Sequence, residues 1–453
     1  MITKTVLASE YAVLDSNVRT GGGTDDTAAL QALLDKAAEY GGLRVIMDGA
    51  ALVSGLRVHS NTTIECLNKD CGFFLISGTN KPVIENYDRD FEFIRNRNIT
   101  LLGGTYNHNG PGQEHHVPYG DPAYLKYSKK ISDPTEMWIV AMVFTGVENL
   151  LLRDVTICDQ RTFATCTTNF KHVVMENIII DMPNKTDCQN QDGLHFEGPG
   201  QFLTLRNITG DSGDDFIALV PDGPDKVSDM TDVLIDGVFL DHADQGIRLL
   251  SLAKGRLDRV TIRNISGTYR SFGFYLDSWF NDCLCGNFGD ILFENVDLRP
   301  EAPNYDYRPP ILFHIGGHFE HITFRNIRDH HTDSQRVLFE VSSEFPDRDQ
   351  VRALTFVDEL TIDGLSILRK DAFAISPICV DAAVERMILR NLDISCGEDN
   401  DVDLIAFGQD GRVGTLAVNG LISKGLKKLA TIPDGKLEHK ILWNIEPADL
   451  GNI

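Results

Sequence analysis

Beyond Val58 the apolar residues of this chain stop recurring every three or four positions and begin to alternate. One phrase returns: a polar or turn-forming residue, alternating apolar side chains, then a second turn pair such as Asn-Ile, Asn-Val, Asp-Gly or Asn-Leu. It is found at Asn61–Ile64, Asn98–Leu101, Glu148–Leu152, His172–Met175, Phe202–Leu205, Asp232–Ile235, Arg259–Ile262, Asp290–Phe293, His321–Phe324, Glu359–Ile362, Glu385–Ile388 and Gly414–Ala417. From Phe202 onward the spacings are 30, 27, 31, 31, 38, 26 and 29. Short strands bounded by turn residues at an irregular period near 30 predict a stacked β coil, in which each coil buries its inward side chains only against its neighbours. An all-β sandwich shares the short strands and turns, but one phrase carried through most of the chain favours the coil.

Only the N-terminal segment has helical periodicity. In Thr20–Gly42, Thr24, Asp25 and Asp26 supply N-cap and first-turn residues, and Ala28, Ala29, Leu30, Leu33, Leu34 and Ala37 form an apolar stripe. Gly41 and Gly42 end it. The pattern predicts an amphipathic helix of about four turns, placed to cover an open first coil. The domain reading is therefore a cap over 1–57 and a parallel β-helix over 58–453, with loop insertions at about 106–133 and 342–352. Long polar loops on a regular scaffold often line a binding cleft.

A net charge of −24 over 453 residues argues against nucleic acid or an anionic membrane as partner, since both need a basic face. No apolar run is long enough for a membrane span, and the first residues do not read as a secretory signal, so a cytoplasmic location is expected. The nine cysteines are scattered without paired CxxC motifs. They read as buried free thiols of a reducing compartment rather than a zinc site. No cofactor or metal is called for, although His314 and His318 around a Gly pair, with Asp277, form a weak metal-like spacing. Asn61, Asn98, Asn184, Asn207 and Asn264 fit the glycosylation sequon, but all except Asn184 belong to the repeated phrase and read as turn asparagines.

Candidate chemistry gathers in Asn190–Asp215. Asp192-Gly193-Leu194-His195-Phe196 overlays Asp215-Phe216-Ile217-Ala218-Leu219, which puts Asp192 one coil from Asp214 and Asp215. Extending the register through Gly193, Phe216, Gly246 and Gly273 gives Asp192, Asp215, Gln245 and Phe272 just before the anchor. Two residues after it come His195, Ala218, Arg248 and Tyr275, and four after it Glu197, Val220, Leu250 and Asp277. Strand alternation separates the first column from the other two unless a bend resets the face. Crowded carboxylates push one another's pKa values apart, and glycosidic cleavage needs such a division into acid and base. The isolated-residue alternative is that each aspartate merely caps a turn.

These residues, with the GGGTDDTAALQALLD opening, resemble the polygalacturonase family, glycoside hydrolase family 28. The resemblance implies a right-handed parallel β-helix in which Asp215 is the general acid and Asp192 and Asp214 activate water, with inversion. Where that family carries Gly-His-Gly this chain has Asp244-Gln245-Gly246, with His242 three residues before Gln245. Where it carries Arg-Ile-Lys this chain has Tyr275-Leu276-Asp277. The resemblance thus implies a carbohydrate substrate and altered sugar specificity, with Asn190, His195, His242, Gln245, Arg248, Tyr275, Asp277, Trp279 and Arg161 as candidate substrate-binding residues. Rival readings are a uronate lyase or epimerase on the same scaffold, using Arg161, Arg248 and Tyr275, and a non-catalytic glycan-binding β-helix. Oligomeric state is not legible.

Overall fold

The two kinds of turn in the repeated phrase are explained by backbone conformation. A computed structural model describes residues 3–114, 139–185, 190–221, 228–251, 255–278, 287–302, 310–332, 335–343, 354–397 and 400–451. In it, the phrase-opening residues Asn61, Asn98, Asn149, His172, Phe202, Asp232 and Arg259 all have left-handed φ between 52° and 61°. In the Asn-Ile, Asn-Val and Asn-Leu turn pairs that follow, the asparagine does the same, with Asn177, Asn207, Asn264, Asn295, Asn326 and Asn391 between 53° and 60°, whereas in the pairs ending in glycine the left-handed residue is Gly237, Gly364 or Gly420. Asparagine tolerates this region better than most residues, which is why it recurs. Its amide then bonds the neighbouring coil: Asn98 donates to Asn61 at 2.7 Å, Asn207 to Asn177 at 3.0 Å and Asn264 to Asp236 at 2.6 Å. Four of the five sequon asparagines are therefore rungs of such ladders.

Every strand pairing between described residues is parallel, as stacked coils require. The chain falls into two units, Met1–Ala218 and Leu219–Ile453. In the first, Ile99, Leu150, Val173 and Leu203 stack one above another, as do Leu101, Leu152, Met175 and Leu205. In the second, Ile262, Phe293, Phe324, Ile362, Leu389 and Val418 form one internal column and Val260, Ile291, Ile322, Leu360, Met387 and Leu416 another. All are buried. Each such side chain contributes on the order of 1.5–3 kcal/mol through burial. The last two phrases sit one residue later than the sequence pattern places them, because Glu359 pairs with Arg386 and Arg386 with Thr415.

The N-terminal helix is shorter than the periodicity predicts. It spans Thr27–Asp35, and a separate turn, Ala37–Tyr40, ends at Gly41 with φ 73°. Leu30, Leu33, Leu34 and Ala37 are buried, as the stripe predicts. Gln31 shows how the helix covers an edge. Its side chain donates to the Arg57 carbonyl at 3.1 Å and accepts from the Arg57 amide at 2.8 Å, replacing the missing neighbour of the strand Leu56–Val58. The strand Lys4–Leu7 extends the same stacking by pairing with Leu43–Met47.

The insertion loops fall largely on 115–138 and 344–353, outside the described residues. Cys66, Cys71, Cys158, Cys166, Cys379 and Cys396 are free thiols, while Cys188, Cys283 and Cys285 lie outside the described residues. Burial pushes the Cys66 and Cys158 thiols up to about 12, so they behave as packing groups. No described helix is long and apolar enough to cross a membrane.

Candidate active site

In the first unit, Asn190 has φ 59° and turns the chain into Gln191 and Asp192. Three backbone bonds set the rung. The Ala164 amide donates to the Asp192 carbonyl at 2.9 Å, the Gly193 amide to Asp215 at 2.9 Å, and the Gly213 amide to Gln191 at 3.0 Å. This pattern pairs Gly193 with Phe216 and places Asp192 and Asp215 in register on consecutive rungs, about 4.8 Å apart along the stacking direction. A Cβ on Gly193 would approach the Phe216 carbonyl oxygen to 2.2 Å. Only glycine permits so close a rung after Asp192.

Asp192 is 2% exposed, and Oδ2 lies 2.9 Å from Nδ1 of His195. Alternation alone separates these two positions. They meet because the chain bends at Gly193 before the strand Leu194–Gly210 begins, with Leu194 and Phe196 turned into the core. His195 stacks on Phe163 with ring centres 4.4 Å apart and planes 7° from parallel. Its Nε2 lies 3.7 Å from Oε1 of Glu197, whose other oxygen accepts from the Thr168 hydroxyl at 2.9 Å. Burial lowers the pKa of His195, against the charges of Glu197 and Asp214, which raise it. The ring is therefore neutral near pH 7. Because a carboxylate only accepts, Nδ1 carries the hydrogen toward Asp192.

Asp192, His195, Glu197 and Asp214 thus share one electrostatic neighbourhood, with Asp215 on the adjoining rung. Glu197, Thr168, Phe163 and Gln191 were not singled out as candidates from the sequence. The coil-to-coil register did hold a signal, since Thr168 pairs directly with Glu197 and Cys166 with His195. Gln191 is buried and anchors the turn, donating to the carbonyls of Gln160 and Arg161 at 3.3 and 3.4 Å. Arg161 is buried too. Its Nε donates to the Glu114 carbonyl at 2.8 Å, and its backbone amide donates to Nδ1 of His108 at 3.0 Å.

The second unit brings a different set together. Gln245 pairs with Phe272, Arg248 with Tyr275 and Leu250 with Asp277. The Arg248 guanidinium lies 3.6 Å over the Tyr275 ring, a cation–π contact. Tyr275 stacks on Phe272 at 4.3 Å, and its hydroxyl donates to Asp277 at 3.2 Å. His242 does not join them. It occupies an exposed turn at φ 67°, where the register slips between Leu240 and Ala243, and lies 2.7 Å from Glu301. That hydrogen bond to Glu301 raises the His242 pKa. His318 faces Asp358 at 3.6 Å. Among the described residues no three His, Cys, Asp or Glu side chains form a metal-binding group. Trp279 lies outside the described residues.

No family model matches the chain. A polygalacturonase of Persea americana is 23% identical over 311 residues, a stretch covering 60% of this chain and 63% of that protein. This chain is similar in sequence to a polygalacturonase. Among solved structures, the family 28 exopolygalacturonase of Yersinia enterocolitica superposes with a TM-score of 0.56 at 13% identity, covering 98% of this chain and 78% of that one. The hyperthermoactive exopolygalacturonase of Thermotoga maritima does so with 0.50 at 12% identity, covering 92% of each. A tailspike protein of E. coli bacteriophage HK620, solved with a hexasaccharide, gives 0.64 at 11% identity, covering 97% of this chain and 78% of that one. These likenesses identify the fold as the parallel β-helix of the polygalacturonases and their structural neighbours.

Proposed function

We propose that this protein is a glycoside hydrolase acting on a pectin-type or related saccharide, and that Asp192, Asp214 and Asp215 carry the reaction with inversion. The observation that supports this most is the register of Asp192 with Asp215, with His195 hydrogen-bonded to the first and within the field of Asp214. In this reading Asp215, half-buried, holds a proton for the leaving oxygen. Asp192 and Asp214 orient and deprotonate the attacking water. His195 keeps Asp192 in place by donating to one of its oxygens. Tyr275 and Asp277, standing where the resemblance puts a basic pair, favour altered sugar specificity.

The test is Asp215→Asn, measured on a panel of oligosaccharides with the product anomer read by NMR. Turnover should fall by roughly a hundredfold to ten-thousandfold, the usual worth of a general acid, with the melting temperature nearly unchanged and the wild-type product of inverted configuration. Full activity in Asp215→Asn removes that residue from its role, and a retained configuration replaces the water by a covalent intermediate.

A second reading, elimination or epimerisation at a uronate, draws on the Arg248–Tyr275 stack in the second unit. It demands loss of activity in Tyr275→Phe and, for a lyase, an unsaturated product that absorbs in the ultraviolet.

A further inference from the structure

Within the first unit, the rungs that precede Asp192 change character abruptly. One rung earlier, the strand Thr165–Asp181 pairs Thr165 with Leu194, Cys166 with His195 and Thr168 with Glu197. Two rungs earlier, the strand Met142–Arg153 pairs Met142 with Thr165, Val143 with Cys166 and Thr145 with Thr168. Both registers continue before the strands begin, since the Ala164 amide donates to the Asp192 carbonyl at 2.9 Å and the Ala141 amide to the Phe163 carbonyl at 3.0 Å. Phe163 therefore stands one rung before Asp192, and Val140 one rung before Phe163. The places filled by Asp192, His195 and Glu197 are filled by Phe163, Cys166 and Thr168, and then by Val140, Val143 and Thr145.

Burial changes at the same boundary. Every residue from Val140 to Val147 and from Ile157 to Phe170 is buried, whereas His195, Gly213, Asp214 and Asp215 each keep some exposed surface. Val140, Val143, Phe163 and Cys166 pack as one apolar cluster, and the Phe163 ring lies flat against His195. Polar groups beside them are turned onto the chain itself. Gln160 Nε2 donates to the Asp192 carbonyl at 3.3 Å, Arg161 Nε to the Glu114 carbonyl at 2.8 Å, and the Thr162 amide to the Ile139 carbonyl at 3.2 Å. A saccharide site needs an open floor with polar groups to meet the hydroxyls. Among the described residues, these two rungs give it no such floor over about 10 Å, more than the length of one sugar residue.

We propose that Phe163 is the end-stop of the substrate groove, so that the protein removes one sugar at a time from the non-reducing end of a saccharide. The end-stop presupposes the hydrolytic reading above and adds to it which bond of the chain is cut. In that reading water supplies the oxygen that replaces the leaving one at the anomeric carbon. One proton passes from the water to Asp192 and Asp214, and another from Asp215 to the leaving oxygen. The attacked sugar then lies over the Asp192 rung, with the leaving part of the saccharide on the side of Asp215. Any further sugar joined to the attacked one would have to lie over Phe163, where the chain is already packed.

The test is digestion of hexagalacturonate and of its methyl-esterified form, each carrying a fluorophore at the reducing end, by the full-length wild-type protein. Products are separated by chromatography from the first turnovers. Labelled pentamer should precede labelled tetramer, with monosaccharide as the unlabelled product. Labelled fragments of two to four residues at the outset, or unlabelled disaccharide or trisaccharide, overturn the end-stop. A bulky ether on O4 of the terminal non-reducing residue should slow turnover roughly a hundredfold, because that sugar can no longer be seated; an unchanged rate overturns the end-stop as well. Phe163→Ala clears a ring from the rung before Asp192 and should add disaccharide to the first unlabelled products. Monosaccharide alone from the active variant takes the role away from Phe163, and the two wild-type measurements decide the matter if that variant does not fold. No product from either hexamer sinks the hydrolytic reading and the end-stop with it, whereas products of the wrong size sink the end-stop alone and leave hydrolysis standing.

Discussion

The rung at Asp192 in the first unit and the column at Tyr275 in the second are built at the same positions of the repeat and have opposite characters. In the first, the position two residues beyond the anchoring glycine carries His195 and the position four beyond carries Glu197. Around them lie Asp192, Asp214 and a threonine hydroxyl, and the ring is hydrogen-bonded to Asp192. In the second, the equivalent positions on one strand carry Tyr275 and Asp277, with Arg248 stacked over the ring. One set can hold and move protons. The other packs a buried ring against a second ring and a fixed cation and ties its hydroxyl to a carboxylate, which suits it to shape and charge rather than to proton transfer. A repeating scaffold keeps backbone geometry constant from coil to coil, so chemical character is set almost wholly by which side chains stand at two or three positions of each phrase.

The sharpest way to break that contrast is to remove one carboxylate from each set. Asp192→Asn should lower kcat by roughly a hundredfold to ten-thousandfold, as loss of a group acting on the transferred proton does. Asp277→Asn should leave kcat within a few-fold and shift the ratio of KM values for esterified and free-acid oligosaccharides toward the acid. Steady-state kinetics on both substrates checks it. If Asp277→Asn costs as much kcat as Asp192→Asn, the division into chemistry and recognition fails.

The sequence foretold this division unevenly, and the reason lies in bends. Side chains that stay on one strand kept their predicted neighbours: Gly246 lies between the pairs Gln245–Phe272 and Ile247–Phe274, so the glycine register holds. Where the chain turns a corner, alternation misleads. Asp192 and His195 are three residues apart and should face apart, yet the corner at Gly193 turns them together. His242, three residues before Gln245, is a candidate substrate-binding residue by sequence, but a left-handed turn and a register slip leave it exposed beside Glu301. His314 and Glu340 are separated by 26 residues, and a loop of variable length between strands hides their pairing from any reading of spacing. The asparagines of the turn pairs were legible because a left-handed bend favours that residue without tertiary information, whereas the bend that opens the phrase is also taken by His172, Phe202 and Arg259 and leaves no such mark.

The histidines extend the comparison to pH. His108 in the first unit is fully buried; its Nδ1 accepts from the Arg161 amide and its Nε2 lies 3.2 Å from the Lys81 carbonyl. Burial pushes its pKa down to about 4, assisted by the positive charge of Arg161 and opposed by the bond to Lys81. His195 is shifted the same way, whereas His242 in the second unit is shifted up by Glu301. A histidine whose folded pKa is depressed binds fewer protons folded than unfolded between that value and its ordinary 6.5. Stability then falls as pH drops through this window. At pH 5 the His108 contribution to that loss is on the order of 2 kcal/mol. Chemical denaturation at pH 7 and pH 5 should show the first unit weakening with acid, and His108→Gln should flatten that dependence. An equal acid loss in the variant assigns the effect elsewhere.

The smallest effect probes how His195 serves Asp192. A hydrogen bond to a charged group contributes about 1.5–3 kcal/mol. Removing it should cost kcat roughly tenfold if its task is to hold one carboxylate oxygen still. His195→Phe keeps a flat ring against Phe163 but has no donor, and should show that loss with KM little changed. His195→Gln restores a donor near Asp192 and should recover most of it. A purely structural role predicts the reverse order, with the aromatic variant the more active and the more stable. A further reading separates positioning from proton transfer. The acid limb of the kcat profile should move in His195→Phe, because the carboxylate that gains a proton as pH falls has lost the donor that held it ionised. An unmoved limb with a tenfold loss would place His195 in the packing of the rung and leave Asp192 to be oriented by its backbone alone.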